Sequence, residues 1–147
     1  MSKITLSDEF KQKLDAVLKK FDAEANEATR THKVIARILN EIEDQSSLEY
    51  SYTANPTNED CRRPDFVLCH KKKEFFILEA KASLTAKQHR VQISAYLKTH
   101  NIEYGSLTDG IQWSMYRWDS EAQTLELDVT LYITNPQDIL DYILSKV

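Results

Sequence analysis

The stretch CRRPDFVLCHKKKEFFILEAKAS, residues 61–83, has the pattern of two apolar strands joined by a basic turn. Each strand carries an acid among apolar neighbours. Asp65 follows Pro64 directly, and Glu79 is followed two places on by Lys81. Because a charge inside a buried strand costs free energy unless it has a partner or a ligand, these groups need a physical reason to be there.

Pairing the two strands across the polar run 70–73 predicts that the charged groups meet. A turn centred near Lys72 places Asp65 opposite Glu79, give or take a residue, and directly opposed side chains have Cβ atoms about 5 Å apart. Glu79 and Lys81 are two apart on one strand, so they share a face of the sheet. The two carboxylates and the amine are therefore expected to converge on one spot.

Two carboxylates at that distance repel each other, and one stays protonated unless something relieves the repulsion. Three arrangements do so: a salt bridge to Lys81, a position at the splayed, wet end of the sheet, or a divalent cation between Asp65 and Glu79. Hard cations such as Mg²⁺ typically take one or two carboxylates plus waters and substrate phosphate, and the carbonyl of Ala80 offers another oxygen. Such a site can hydrolyse a phosphodiester, with Lys81 stabilising the charge that develops on the phosphate.

The rest of the chain predicts an α/β fold with a mixed central sheet flanked by helices. The expected order is two helices, three strands, one helix, two or three strands and a last helix. Its 147 residues suit one domain. Within this domain, 1–147, we expect a helical part at 7–43, the sheet and its helix at 47–134, and a C-terminal helix at 136–146.

Composition and charge restrict the class of protein. The longest apolar runs are too short to cross a bilayer, and the N-terminus lacks the apolar stretch of a signal peptide, so a cytoplasmic protein without membrane contact is expected. The net charge of −4 argues mildly against a surface devoted to nucleic acid. The segment 62–90 is nevertheless basic, which permits a basic face on an acidic protein. Cys61 and Cys69 suit a reducing compartment and lack the close ligand pairs of a zinc site.

Motifs in this order resemble a known family. Pro64-Asp65 followed by Glu79-Ala80-Lys81 resembles the PD-(D/E)xK nuclease motif, and in particular the N-terminal nuclease domain of the motor subunit of type I restriction enzymes. Three further segments agree with that family: NEATRTH at 26–32, QISAY at 92–96 and YGSLTDGIQWSMYRW at 104–118. The resemblance covers roughly residues 25 to 135.

The resemblance implies a restriction-endonuclease-like fold and cleavage of DNA that depends on Mg²⁺, with Mn²⁺ as a substitute. It implies catalytic roles for Asp65, Glu79 and Lys81, with Asp65, Glu79 and Ala80 as metal ligands. Residues expected to assist are Glu27 near the site, Gln92 as an orienting residue, Tyr96 packing or contacting DNA, and Gln88, Arg62 and Arg63 toward DNA. Gln88, Gln92 and Tyr96 share one helix face at spacings of four.

The sequence departs from that family in one respect and leaves alternatives open. A motor subunit continues into a helicase-like ATPase, whereas this chain has only Gly105 and Gly110 and no Gly-rich phosphate loop, so no ATP hydrolysis is expected. We expect instead reliance on partner subunits or on a homodimer. The alternatives are a binding subunit of the same fold that holds nucleic acid or protein without cutting, and a structural protein in which Asp65, Glu79 and Lys81 form a salt bridge.

Overall fold

A computed structural model of the chain describes residues 4–20, 27–52, 64–81 and 84–147, with only the helical backbone of 27–30. The described part contains four helices and six strands. In chain order they are α1 (Asp8–Lys19), α2 (Glu27–Gln45), β1 (Leu48–Tyr52), β2 (Phe66–His70), β3 (Lys73–Ala80), α3 (Lys87–His100), β4 (Tyr104–Thr108), β5 (Gln112–Asp119), β6 (Thr124–Tyr132) and α4 (Pro136–Leu144). The predicted α/β fold and its order of elements are confirmed.

The six strands form one mixed sheet in which neighbours along the chain are neighbours in space, in the order β1 to β6. All pairs are antiparallel except β3 and β4, which are parallel and joined through α3. A parallel pair requires such a crossover helix. The C-terminal ends of β3 and β4 therefore lie at the same edge of the sheet, beside the beginning of β2.

Helices cover both faces of the sheet and give two apolar cores. Side chains of α1, α2 and α4 pack on one face, with Ile35, Ile38 and Ile139 fully buried there. On the other face, α3 packs through Ile93 and Leu97. These contacts follow from apolar residues at helical spacing, which place one stripe of each helix against the sheet.

α3 lies very close to β4 because Gly105 has no side chain. A Cβ built at Gly105 would lie 3.1 Å from the carbonyl oxygen of Ile77 and 3.2 and 3.3 Å from side-chain atoms of Ile93 and Leu97. A larger residue would therefore force α3 away from the sheet, and with it the residues that α3 presents at the edge where β3 ends.

The β2–β3 hairpin turns at the lysine cluster, as predicted. Lys71 and Lys72 have φ of 50° and 67°, and positive φ at both central residues is the requirement of a two-residue type I′ turn. His70 pairs with Lys73, an irregularity follows between Leu68 and Cys69, and Phe66 then pairs with Leu78. Extending this register by one residue aligns Asp65 with Glu79.

The two strands predicted within residues 61–83 are shorter than the apolar pattern suggests. The first begins at Phe66 and the second ends at Ala80, so Asp65 and Lys81 lie just outside the strands rather than within them. Asn135 lies at the cap position of α4, but its side chain makes no capping hydrogen bond, unlike Ser7, whose Oγ accepts from the Phe10 N–H at 3.1 Å.

None of the helices in the described ranges combines the length and the apolar character that a membrane crossing needs.

Candidate functional site

Asp65, Glu79 and Lys81 meet at the end of the sheet where β3 ends and β2 begins. Glu79 lies inside β3 and, by strand alternation, on the face that α3 covers. Asp65 immediately precedes β2, and Lys81 immediately follows β3. The backbone N–H of Lys81 donates to the carbonyl of Thr108 at 2.9 Å, which anchors the end of β3 to the end of β4. The expected convergence of Asp65, Glu79 and Lys81 is therefore observed.

Reciprocal hydrogen bonds hold the two acids in place. The backbone N–H of Asp65 donates to Glu79 Oε1 at 2.6 Å, and the N–H of Ala80 donates to Asp65 Oδ2 at 2.9 Å. Each carboxylate is thus bound by the backbone of the segment that carries the other. Because hydrogen bonds from N–H groups to carboxylates are directional, they determine the orientation of both side chains.

Glu79 is a buried acid with an unusual protonation equilibrium. Its side chain is 3% exposed, and the Lys81 Nζ lies 3.5 Å from its Oε2. Burial, and next the negative charge of Asp65, raise the pKa of Glu79 to about 8, although the Asp65 N–H and the Lys81 ammonium act in the opposite direction. Lys81 therefore compensates the acid pair only in part.

The electrostatics of the pair fit a divalent cation. The described residues contain no cluster of three or more His, Cys, Asp or Glu side chains arranged to hold a metal ion. The site offers instead two carboxylates that Lys81 does not suffice to keep ionised together, since the pKa of Glu79 stays raised beside it. Mg²⁺ suits such a set, since it is commonly held by one or two carboxylates and keeps several waters. Ala80 commits its N–H to Asp65, and its carbonyl stays a predicted further ligand.

Two of the three anticipated ways to relieve the repulsion occur together. Lys81 makes the salt bridge to Glu79, and the site lies at a strand end where Asp65 and Lys81 have 24% and 21% of their side chains exposed. The third way, a cation, is compatible with that exposure because an ion and a phosphate can approach from the open side.

His32 was not among the residues selected from the sequence, although it belongs to the quoted segment 26–32. It projects from α2, and its Nε2 lies 3.8 Å from Asp65 Oδ2. A motif comparison directs attention to the acid of that segment, Glu27, and gives no signal for the histidine. Glu27 is the first residue of α2, but its side chain is not among those described, so its role stays a prediction.

The residues predicted on α3 have different surroundings. Gln92 is partly buried, and its Nε2 donates to the Tyr96 hydroxyl at 2.9 Å. Tyr96 is 5% exposed and belongs to the core under α3, which favours its packing alternative over DNA contact. Gln88 is exposed to solvent, as a DNA-contacting residue must be. Arg62 and Arg63 lie outside the described residues.

A second histidine near the site was also missed. Burial, and next the charge of Lys81, lower the pKa of His89 on the first turn of α3. The helix spacing singles out the glutamines and gives no reason to select His89. The lowered pKa indicates that the neutral imidazole is the favoured form beside the ammonium group.

Comparison with protein families gives a match to the type I restriction enzyme R protein N terminus (HSDR_N) over residues 25–130. The match spans most of the chain and confirms the type I restriction enzyme family that the motifs indicated, while the PD-(D/E)xK assignment stays a prediction. It also indicates a restriction-related role. Searches of curated proteins and of solved structures found nothing that matches the chain.

Proposed function

Since the chain belongs to the type I restriction enzyme R protein N-terminal family, we propose that it is a metal-dependent endonuclease that hydrolyses phosphodiester bonds in DNA. We interpret its site as one of the PD-(D/E)xK class. The observation that carries the proposal is the buried Glu79, joined to Asp65 by reciprocal hydrogen bonds and to Lys81 by an ion pair. A buried, incompletely compensated acid at a solvent-accessible edge is more typical of a functional site than of a structural salt bridge.

Asp65 and Glu79 would hold Mg²⁺, with the Ala80 carbonyl as a further ligand. When bound there, the ion would polarise the phosphate and make a water more acidic. The chain's own groups supply orientation and charge. The backbone hydrogen bonds fix the carboxylates before the ion arrives, so little reorganisation is needed. Lys81, one fifth exposed, can place its ammonium group against a phosphate oxygen or the attacking water.

A nicking assay on supercoiled plasmid tests the proposal. We expect relaxed and linear products with Mg²⁺ or Mn²⁺, and none with EDTA. Ca²⁺ is expected to bind without supporting cleavage. Linear, branched and single-stranded DNA in the same assay identify the preferred substrate. As members of this family belong to R proteins of a multi-subunit enzyme, the assay is run both alone and with partner subunits.

The second candidate function is a binding subunit that has this fold but does not cut. The net charge of −4 favours it, because an acidic protein binds DNA weakly without partners. It predicts DNA affinity that does not depend on Mn²⁺ and an intact plasmid under every metal condition. Nicking that requires Mn²⁺ would exclude it.

Gln92→Ala is expected to slow cleavage several-fold without removing it. The Gln92 side chain is held by the Tyr96 hydroxyl, one turn further along α3, so it is oriented at low entropic cost. An orienting residue contributes less than a metal ligand because the carboxylates and Lys81 remain. Single-turnover nicking rates measure the effect, with Gln123→Ala, in the exposed β5–β6 turn, as the control. Wild-type rates in Gln92→Ala would remove this role.

A further inference from the structure

His32 is held in a defined position between α2 and the beginning of the sheet. Its Nδ1 lies 3.1 Å from the Tyr52 hydroxyl on β1. Its ring meets the rings of Tyr52 and Phe66 edge-on, with centroids 5.4 and 5.3 Å apart. Its side chain is 26% exposed. An imidazole with this many neighbours has little rotational freedom, and it points its other nitrogen, Nε2, toward Asp65.

The helix that carries His32 is itself tied to the site. The preceding residue, Thr31, is buried, and its hydroxyl donates to the carbonyl of Asp109 at 3.0 Å. Asp109 follows Thr108, whose carbonyl accepts the Lys81 N–H. The β4–β5 turn therefore connects α2 to the backbone of Lys81, so that His32 and Lys81 are located by the same short segment.

The two carboxylate oxygens of Asp65 have different surroundings. Oδ2 accepts the Ala80 N–H at 2.9 Å and faces His32 Nε2 at 3.8 Å. Within the described part of the chain, no hydrogen bond or ion pair to Oδ1 is observed. When the Tyr52 hydroxyl donates to Nδ1, a neutral His32 carries its proton on Nε2, the nitrogen that faces the carboxylate. Among the described residues, each acid then faces a nitrogen of one side chain, His32 for Asp65 and Lys81 for Glu79.

We propose that His32 is a positioning residue for Asp65, with Tyr52 holding its ring. His32 and the Ala80 N–H keep Oδ2 on the protein side and leave Oδ1 directed to a divalent ion. The inference rests on the proposed function, since it assigns a partner to a metal ligand of that site. Groups that orient a ligating carboxylate in this way typically change metal affinity by about 10- to 100-fold when removed.

Isothermal titration calorimetry of the full chain with Mn²⁺ alone, at one pH, tests the inference without relying on cleavage. We expect His32→Ala to weaken Mn²⁺ binding by about tenfold. His32→Gln, which keeps an N–H donor, is expected to recover part of that loss. Tyr52→Phe, which keeps the ring and deletes only the hydroxyl, is expected to weaken binding by a smaller factor. His32→Gln and Tyr52→Phe also carry the test if His32→Ala fails to fold.

His100→Ala is the matched control. His100 is also about a quarter exposed and also faces a carboxylate, with its Nδ1 3.5 Å from Glu74 Oε1. It is the last residue of α3, at the end of the sheet away from Asp65 and Glu79. Its variant is expected to bind Mn²⁺ as the wild type does. Unchanged Mn²⁺ affinity in His32→Ala, with or without a lower melting temperature, would overturn the positioning role while leaving the nuclease proposal intact. A wild type that neither binds Mn²⁺ nor nicks DNA would overturn both.

Discussion

Lys81→Ala is expected to slow DNA cleavage by about two to three orders of magnitude while leaving the fold and metal binding largely intact. The Lys81 ammonium contacts Glu79 Oε2 at 3.5 Å and is partly open to solvent, so it can reach a phosphate oxygen or a water but supplies no ligand to the ion. Removing one preorganised charge from a reacting centre typically costs about 10²- to 10³-fold in rate. Plasmid nicking gives the rate, and Ca²⁺ titration gives the affinity in the absence of turnover.

Two further variants make that result specific. Asp65→Ala is expected to lose both metal binding and cleavage, because Asp65 is a proposed ligand and its carboxylate also accepts the Ala80 N–H. Lys98→Ala removes an exposed amine near Lys73, at the opposite end of β3, and is expected to behave as the wild type. If Lys81→Ala lost Ca²⁺ affinity as Asp65→Ala does, Lys81 would be a structural partner of the acids rather than a catalytic group.

The convergence of the acids could be predicted because it depends on local rules. Alternation fixes which residues share a face, and the basic run 70–73 fixes where the chain turns. The actual turn is centred between Lys71 and Lys72, half a residue before the predicted centre. The irregularity after Leu68 compensates for that shift, and Asp65 aligns with Glu79 after all. A prediction that allows one residue of error absorbs a single bulge of this kind.

The contact between His32 and Asp65 could not be predicted, because it depends on how α2 crosses the sheet. Helical periodicity shows which face of α2 is buried, but not the angle or height at which that face meets β1 and β2. The same limit explains Tyr96. Its spacing from Gln92 places both on one face of α3, yet only packing against β4 and β5 determines that Tyr96 is core and Gln92 is at its margin.

Glu79→Gln is expected to stabilise the metal-free protein at alkaline pH. Folding raises the pKa of Glu79 from its ordinary 4.5 to about 8, so the folded state keeps a proton that the unfolded chain has released. Below pH 4.5 both states hold this proton, so Glu79 does not lower the free energy of unfolding. As the pH rises from 4.5 to about 8, the free energy of unfolding falls, because the unfolded chain ionises Glu79 more readily than the folded protein does. Since one pKa unit corresponds to about 1.4 kcal/mol, the loss is on the order of a few kcal/mol. Glu79→Gln does not suffer this loss of stability, because the neutral amide carries no charge to bury.

Urea unfolding in EDTA at pH 5 and pH 8.5 measures this difference, with Glu121→Gln, an exposed acid in the β5–β6 turn, as the control for one lost charge. We expect the wild type and Glu79→Gln to have similar free energies of unfolding at pH 5, and Glu79→Gln to be clearly more stable at pH 8.5. Mn²⁺ should then stabilise the wild type at pH 8.5 much more than Glu79→Gln, because the amide lacks the negative charge with which Glu79 is proposed to bind the ion. The same variant should not cut DNA.

A Gln variant less stable than the wild type at pH 8.5 would mean that Lys81 and the Asp65 N–H fully compensate the charge, as in a structural salt bridge. Gained stability together with lost cleavage would instead identify Glu79 as an acid retained at a cost to the fold for the ion that it binds.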